Sequence, residues 1–145
     1  MTMKTLNVLF LALTLMFVSN IATNAQEKDE VLQVNKLTVL WYSDDPMVAE
    51  RVALMYTGVA KQFGLFEDVS VIIWGPSAKL VAENKEIQVQ LKTMMDNGVK
   101  LNACITCANM YGVTDQLKAL GINVDIMGAP LTNALKASDT SVLTF

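Results

Sequence analysis

The sequence predicts a three-layer α/β/α domain on a mostly parallel five-stranded sheet. Two observations carry this. Short apolar, β-rich runs recur at Leu37–Tyr42, Val69–Trp74, Val99–Ala103, Ile122–Met127 and Ser141–Phe145. Between them lie segments with helical spacing, opened or closed by cap and turn residues. There are no internal repeats and no low-complexity segments, and strand order is not readable.

The elements follow in order. Leu37–Tyr42, LTVLWY, is continuously apolar, as buried parallel strands are. Ser43-Asp44-Asp45 then offers capping oxygens and Pro46 suits a first helical position. The helix runs to about Phe63, with Val48, Val52, Met55, Val59 and Phe63 as its predicted inward stripe. Gly64 ends it. After the strand VSVIIW, Gly75-Pro76-Ser77 turns into a helix around Ala78–Glu83. A further helix places Ile87, Leu91, Met94 and Met95 inward and stops at Gly98. Val99–Ala103 delivers Cys104. Thr114 is read as the cap of a short helix ending at Gly121. Gly128-Ala129-Pro130 is read as a turn leading into a helix around Leu131–Ala137, before the last strand.

The first residues stand apart. Lys4 precedes an almost wholly apolar stretch, Leu6 to Val18, followed by small and polar residues up to Ala25. That order describes a secretory signal peptide, with Thr23 and Ala25 suiting the −3 and −1 positions. The competing reading is an uncleaved anchor, although the apolar run is short of the roughly 20 residues a span needs. Residues 1–25 are therefore read as a signal peptide, 26–35 as a flexible leader and 36–145 as one domain. The expected destination is the periplasm or the exterior, with no membrane attachment after cleavage near Ala25.

Charge narrows the partners. The chain has 11 basic and 14 acidic residues, a net charge of −3, and one arginine, Arg51. That balance argues against nucleic acid and anionic membrane surfaces. There is no histidine, which removes His bases, Cys-His dyads and His metal ligands from a single chain. No GxGxxG or Walker pattern is present, and no cofactor is expected. The methionines after residue 25 are read as mostly core-facing, so a Cys/Met copper site is not favoured. A thiolate zinc site would need two chains, so no metal is expected.

The chemistry concentrates at the only two cysteines, in VKLNACITCANMYG. Cys104 falls at a strand's end and a helix's mouth, where open parallel sheets place their sites and where the helix favours a thiolate. Cys107 lies one turn on. A disulfide between them would close a tiny loop, a poor structural staple. Four strand-end loops are expected to converge: Ser43-Asp44-Asp45, Gly75-Pro76-Ser77, Cys104–Cys107 with Thr106, and Gly128-Ala129-Pro130. Asp44 and Asp45 look like paired carboxylates, but capping is the simpler role. Ser77 lacks a base and is read as a cap, and Gly75 and Gly128 as tight turns. The bland reading of the cysteines is packing, since free cysteine is often buried. The CxxC spacing is that of thioredoxin, without its flanking aromatic and proline and after the third strand instead of the first.

The ordered set LTVLWYSDDP, VIIWGPSAKL, GVKLNACITCANMYGV and GINVDIMGAPLTNALKASDTSVLTF resembles the DsrE/DsrF-like family of small sulfur-relay proteins. The resemblance covers roughly Leu37 to Phe145. It implies a flavodoxin-like fold, homo-oligomers that are often trimers or hexamers, and protein partners that donate or accept sulfur. Cys104 matches the family cysteine, which in some members carries a persulfide. Two departures stand out: the leader, which removes any cytoplasmic tRNA relay, and Cys107, a second thiol able to resolve a persulfide. Three functions compete: a sulfur carrier on Cys104, an oligomeric binding or structural protein whose cysteines only pack, and a dithiol–disulfide redox protein. The lack of a histidine base favours a carrier over a turnover enzyme.

Overall fold

The computed structural model describes Val34–Phe145. The predicted signal peptide and most of the leader lie outside the described residues. Asn35, assigned to the leader, is tied into the sheet: its N–H donates to Asp139 O at 3.1 Å and its carbonyl accepts from Glu67 N at 2.8 Å.

Five parallel strands run β1 (Lys36–Trp41), β2 (Asp68–Ile73), β3 (Lys100–Cys104), β4 (Asn123–Asp125) and β5 (Thr140–Thr144). Their spatial order is β4-β3-β2-β1-β5. Between β1 and β2 lie α1 (Pro46–Val48), a π-helical turn (Ala49–Ala53) and α2 (Leu54–Gln62). Helices α3 (Ser77–Glu83) and α4 (Lys85–Asp96) join β2 to β3, α5 (Ile105–Tyr111) and α6 (Thr114–Ala119) join β3 to β4, and α7 (Gly128–Lys136) joins β4 to β5. Among the described residues no helix is long and apolar enough to cross a membrane.

This order decides which face is covered. The first three crossovers all step in one direction, and right-handed crossovers stepping one way stack their helices on one face. Leu37, Val39, Trp41, Val69, Val71, Ile73, Leu101 and Ala103 point to that face and join Leu54, Ile87, Leu91 and Leu117 in the main core. Only the last crossover steps back across β1, so α7 alone crosses the second face, with Cys107 at the start of α5 meeting its edge. Side chains two apart share a strand face, so that face carries Thr38 and Leu40, Ser70 and Ile72, Asn102 and Cys104. Its half nearer the strands' amino ends is polar, and Leu40, Ile72 and Cys104 make its carboxyl end apolar.

Several expectations are corrected. The stripe of Val52, Met55, Val59 and Phe63 faces outward, with Phe63 68% exposed. Ala49, Ala53, Leu54, Thr57 and Ala60 pack inward instead. Small residues let the helix approach the sheet closely, and the larger apolar side chains are left outside. Thr57 is satisfied there by donating to Ala53 O at 2.5 Å. Met47, Met55 and Met110 are likewise exposed, not core-facing. Thr114 does not cap its helix; its hydroxyl donates to Asn109 Oδ1 at 2.7 Å. Gly128-Ala129-Pro130 is the first turn of α7, and Gly128 does not adopt a positive φ.

Candidate functional site

Cys104 is the last residue of β3 and the residue from which α5 starts, with extended backbone at φ −68° and ψ 115°. Strand alternation puts its side chain on the face of Asn102. The chain then turns into helix, and Cys107 returns over the same spot one turn later. Both are free cysteines. They are 5% and 8% exposed, and they form a small apolar cluster with Ile72 and Met127, walled by Leu40, Trp74 and Leu131. This cluster is separate from the main core.

The Cys107 side chain packs in one cluster with Cys104 and lies beside the Gly75 backbone. Burial pushes its pKa up, the Gly75 N–H opposes this, and the neighbouring Cys104 adds to the rise. Cys107 is therefore a neutral thiol at ordinary pH.

Three of the four predicted loops meet here. Gly75 takes the left-handed conformation, φ +64°. An added Cβ would meet nothing within 4 Å, so the demand for glycine is conformational, not steric. The turn it allows carries the Gly75 N–H to Cys107. Beyond it, Ser77 is not a cap but a buried knot. Its hydroxyl donates toward Trp41 O at 2.7 Å and also lies 3.0 Å from Trp74 O, while accepting from Trp74 N at 3.1 Å. It ties the ends of β1 and β2 together. Met127 and Leu131 bring the start of α7 onto the sulfurs. Thr106, between the cysteines, is exposed.

The acidic loop is not brought into the cluster. Asp45 caps the helix as expected, accepting from Met47 N at 2.7 Å and Val48 N at 3.4 Å, and Asp44 is exposed. Sequence reading missed the walls Ile72, Trp74 and Met127, which looked like ordinary core. It also missed a cavity of about 240 Å³ beside them, lined by Thr38, Ser70, Asn102, Asn123, Asp125 and Pro130 as well as Ile72, Ile126 and Met127. The available signal was the period-two pairing of Asn102 with Cys104.

A 4-3-2-1-5 parallel sheet with a thiol pair at the carboxyl end of β3 defines a small thiol-bearing α/β domain. The chain belongs to the DsrE/DsrF-like family, whose model matches residues 14–145. That family is associated with sulfur relay. Among solved structures, a conserved protein of unknown function from Bacteroides thetaiotaomicron, BT1422, is 32% identical, covering 81% of this chain and 100% of its own at a TM-score of 0.74. The ychN protein of E. coli is 18% identical, covering 77% of this chain and 98% of its own at a TM-score of 0.55, and supports the fold alone. No curated protein matches the chain.

Proposed function

We propose that the chain is an exported sulfur-relay protein that carries sulfane sulfur as a persulfide on Cys104, with Cys107 as the resolving thiol. The observation that carries this reading is two free thiols in contact at the carboxyl end of β3. In loading, the Cys104 thiolate attacks a sulfane sulfur of the donor. The Sγ–S bond forms and the donor leaves one sulfur shorter. In one discharge route an acceptor thiolate takes the outer sulfur and Cys104 leaves as thiolate. In the other, the Cys107 thiolate attacks Cys104 Sγ, hydrosulfide leaves and a disulfide forms. The raised pKa of Cys107 keeps the second route slow at neutral pH, which preserves the loaded form.

Export rests on the order of residues in 1–25 and is checked by N-terminal sequencing of the protein from cells. Assembly into a homo-oligomer, a trimer or hexamer by family resemblance, is supported by the outward apolar stripe. Val52, Met55, Val59 and Phe63 form an exposed row on one helix, of the kind that marks interfaces. Sulfur donor and acceptor proteins are the proposed further partners.

The test is intact mass before and after exposure to polysulfide, with thiols trapped by alkylation. The expected result is a gain of one sulfur, removed by reductant and absent in Cys104→Ser. Sulfur uptake that persists in Cys104→Ser would overturn the proposal. The burial of both thiols specifically favours a second reading, in which the cysteines only pack and the protein is an oligomeric binding module. That reading requires thiols inert to alkylation in the native state and no sulfur uptake. A native mass two hydrogens light, without uptake, would instead favour a dithiol–disulfide pair.

A further inference from the structure

We infer that the polar cavity on the open face binds a small 2-aminothiol, which takes the outer sulfur from Cys104. The inference rests on the persulfide reading and names the acceptor's chemical class.

The cavity's floor is Thr38, Ser70, Ile72, Asn102 and Asn123, on four adjacent strands, and its wall is Asp125, Ile126, Met127 and Pro130. The floor's donors are largely spent internally. Thr38 and Ser70 hydroxyls bond each other at 3.1 Å, Asn102 Nδ2 reaches Val71 O at 3.5 Å, and Asn123 Nδ2 donates to Asn102 Oδ1 at 3.0 Å. What remains is one amide proton on each asparagine and the acceptor capacity of the Asn123 carbonyl and of the second oxygen of Asp125, whose Oδ1 takes the Ile126 N–H at 2.7 Å. No lysine or arginine lines the cavity, and Asp125 is its sole charge. With a carboxylate as its sole charge, such a site favours an ammonium group over an anion.

Position couples this charge to the sulfur. Asp125 stands directly opposite Cys104 in the β3–β4 register, about 5 Å away across neighbouring strands. Both lie on the open face. Ile72 and Met127 line the cavity and also pack on the two thiols. Met127, unbranched and adaptable, is the wall shared by the cavity and the thiols. An ammonium on Asp125 with two carbons to its sulfur reaches the outer sulfur of a Cys104 persulfide. A carboxylate on the same molecule would meet no cation, so the fitting class is a simple 2-aminothiol. The step balances: the acceptor thiolate attacks the outer sulfur, the S–Sγ bond breaks, Cys104 leaves as thiolate, and the acceptor becomes a persulfide.

The test compares cysteamine, 2-mercaptoethanol and 3-mercaptopropionate in discharging protein preloaded with polysulfide, with rates expressed per thiolate. Cysteamine is expected to half-saturate at a concentration about tenfold below 2-mercaptoethanol, the worth of one charged hydrogen bond, with 3-mercaptopropionate the poorest. Asp125→Asn keeps the acceptor for the Ile126 N–H and is expected to close most of the gap. Equal concentration dependence for all three thiols, or a preference that survives Asp125→Asn, would overturn the inference. A separate arm titrates ethanolamine, which has no thiol, into unloaded protein and follows the Asn102 and Asn123 side-chain amides by NMR. Shifts in the wild type that vanish in Asp125→Asn support the cavity even if Cys104 never loads. Loading without such shifts rejects the cavity and leaves the carrier standing.

Discussion

The two faces of one sheet divide the protein's tasks. On the helix-packed face, Leu37, Val39, Val69, Val71 and Ile73 meet a continuous apolar core. On the opposite face β1, β2 and β3 present Thr38, Ser70 and Asn102, ending in Leu40, Ile72 and Cys104. The difference comes from topology, not from strand composition. Three crossovers stepping one way cover one face, and a single nine-residue helix is left for the other. Stability is concentrated where helices crowd, and reactive and polar groups sit where they do not. The lesson is that chain direction across a sheet assigns its faces before any side chain does.

Substitutions across that divide test it most strongly. Leu37→Ala, on the packed face, is expected to cost about 2–5 kcal/mol by denaturant unfolding, through lost burial and a cavity that cannot collapse. Ser70→Ala, on the open face of the neighbouring strand, is expected to cost under about 1 kcal/mol, since its hydroxyl bonds another hydroxyl that the cavity can reach. Comparable losses at the two positions would break the comparison. Ser77→Ala comes next, at about 1–3 kcal/mol. It strips the buried Trp41 and Trp74 backbone of a shared partner. Because that knot holds Gly75 near Cys107, the variant should also change the rate at which Cys107 is alkylated, measured by mass under native conditions.

What was legible in the sequence follows the same divide. The five strands, the Asp45 cap, the stops at Gly64, Gly98 and Gly121 and the placing of Cys104 are local matters, written in short runs of residues. Each stop does adopt a positive φ. The helix 46–62 was read inside out because hydrophobicity alone ranks Val52, Met55 and Phe63 above Ala49, Ala53 and Ala60. Helix–sheet proximity instead selects the small set, and no local pattern records that distance. Ser77 looked like a cap because the turn before it has cap chemistry. Its real partners are the Trp41 and Trp74 carbonyls, and Trp41 is 36 residues away. The polar cavity was illegible for a related reason: Thr38, Ser70, Asn102 and Asn123 are one per strand, and only the strand order makes them neighbours.

The cap and the thiol sharpen the comparison at smaller scale. Asp45→Ala is expected to cost about 1 kcal/mol, because the start of its helix loses the acceptor for two N–H groups. At alkaline pH the open face carries its own penalty. Cys107 holds its proton more tightly folded than unfolded, so from about pH 8.5 the unfolded chain releases a proton that the fold retains. Stability then falls with rising pH, and Cys107→Ala should flatten that fall in unfolding measured from pH 7 to 10.

The smallest expected effect lies at the amino ends of the strands. Reading across β5, β1, β2 and β3, Asp139, Lys36, Asp68 and Lys100 alternate in sign. Lys36 pairs with Asp139 at 2.8 Å and Lys100 with Asp68 at 2.7 Å. Hydrogen bonds from the two lysines hold both carboxyls below their ordinary range. With folded values lowered, the unfolded chain takes up protons first as pH falls. The stabilisation is therefore complete above about pH 4 and is lost as pH drops through the folded values. All four side chains are about half exposed or more, so solvent and salt screen the row. Acid unfolding of Asp68→Asn should show only a slightly shallower slope below pH 4, and molar salt should erase the difference from wild type. A large, salt-resistant effect would mean that this end of the open face is covered, against the division of the sheet drawn from its crossovers.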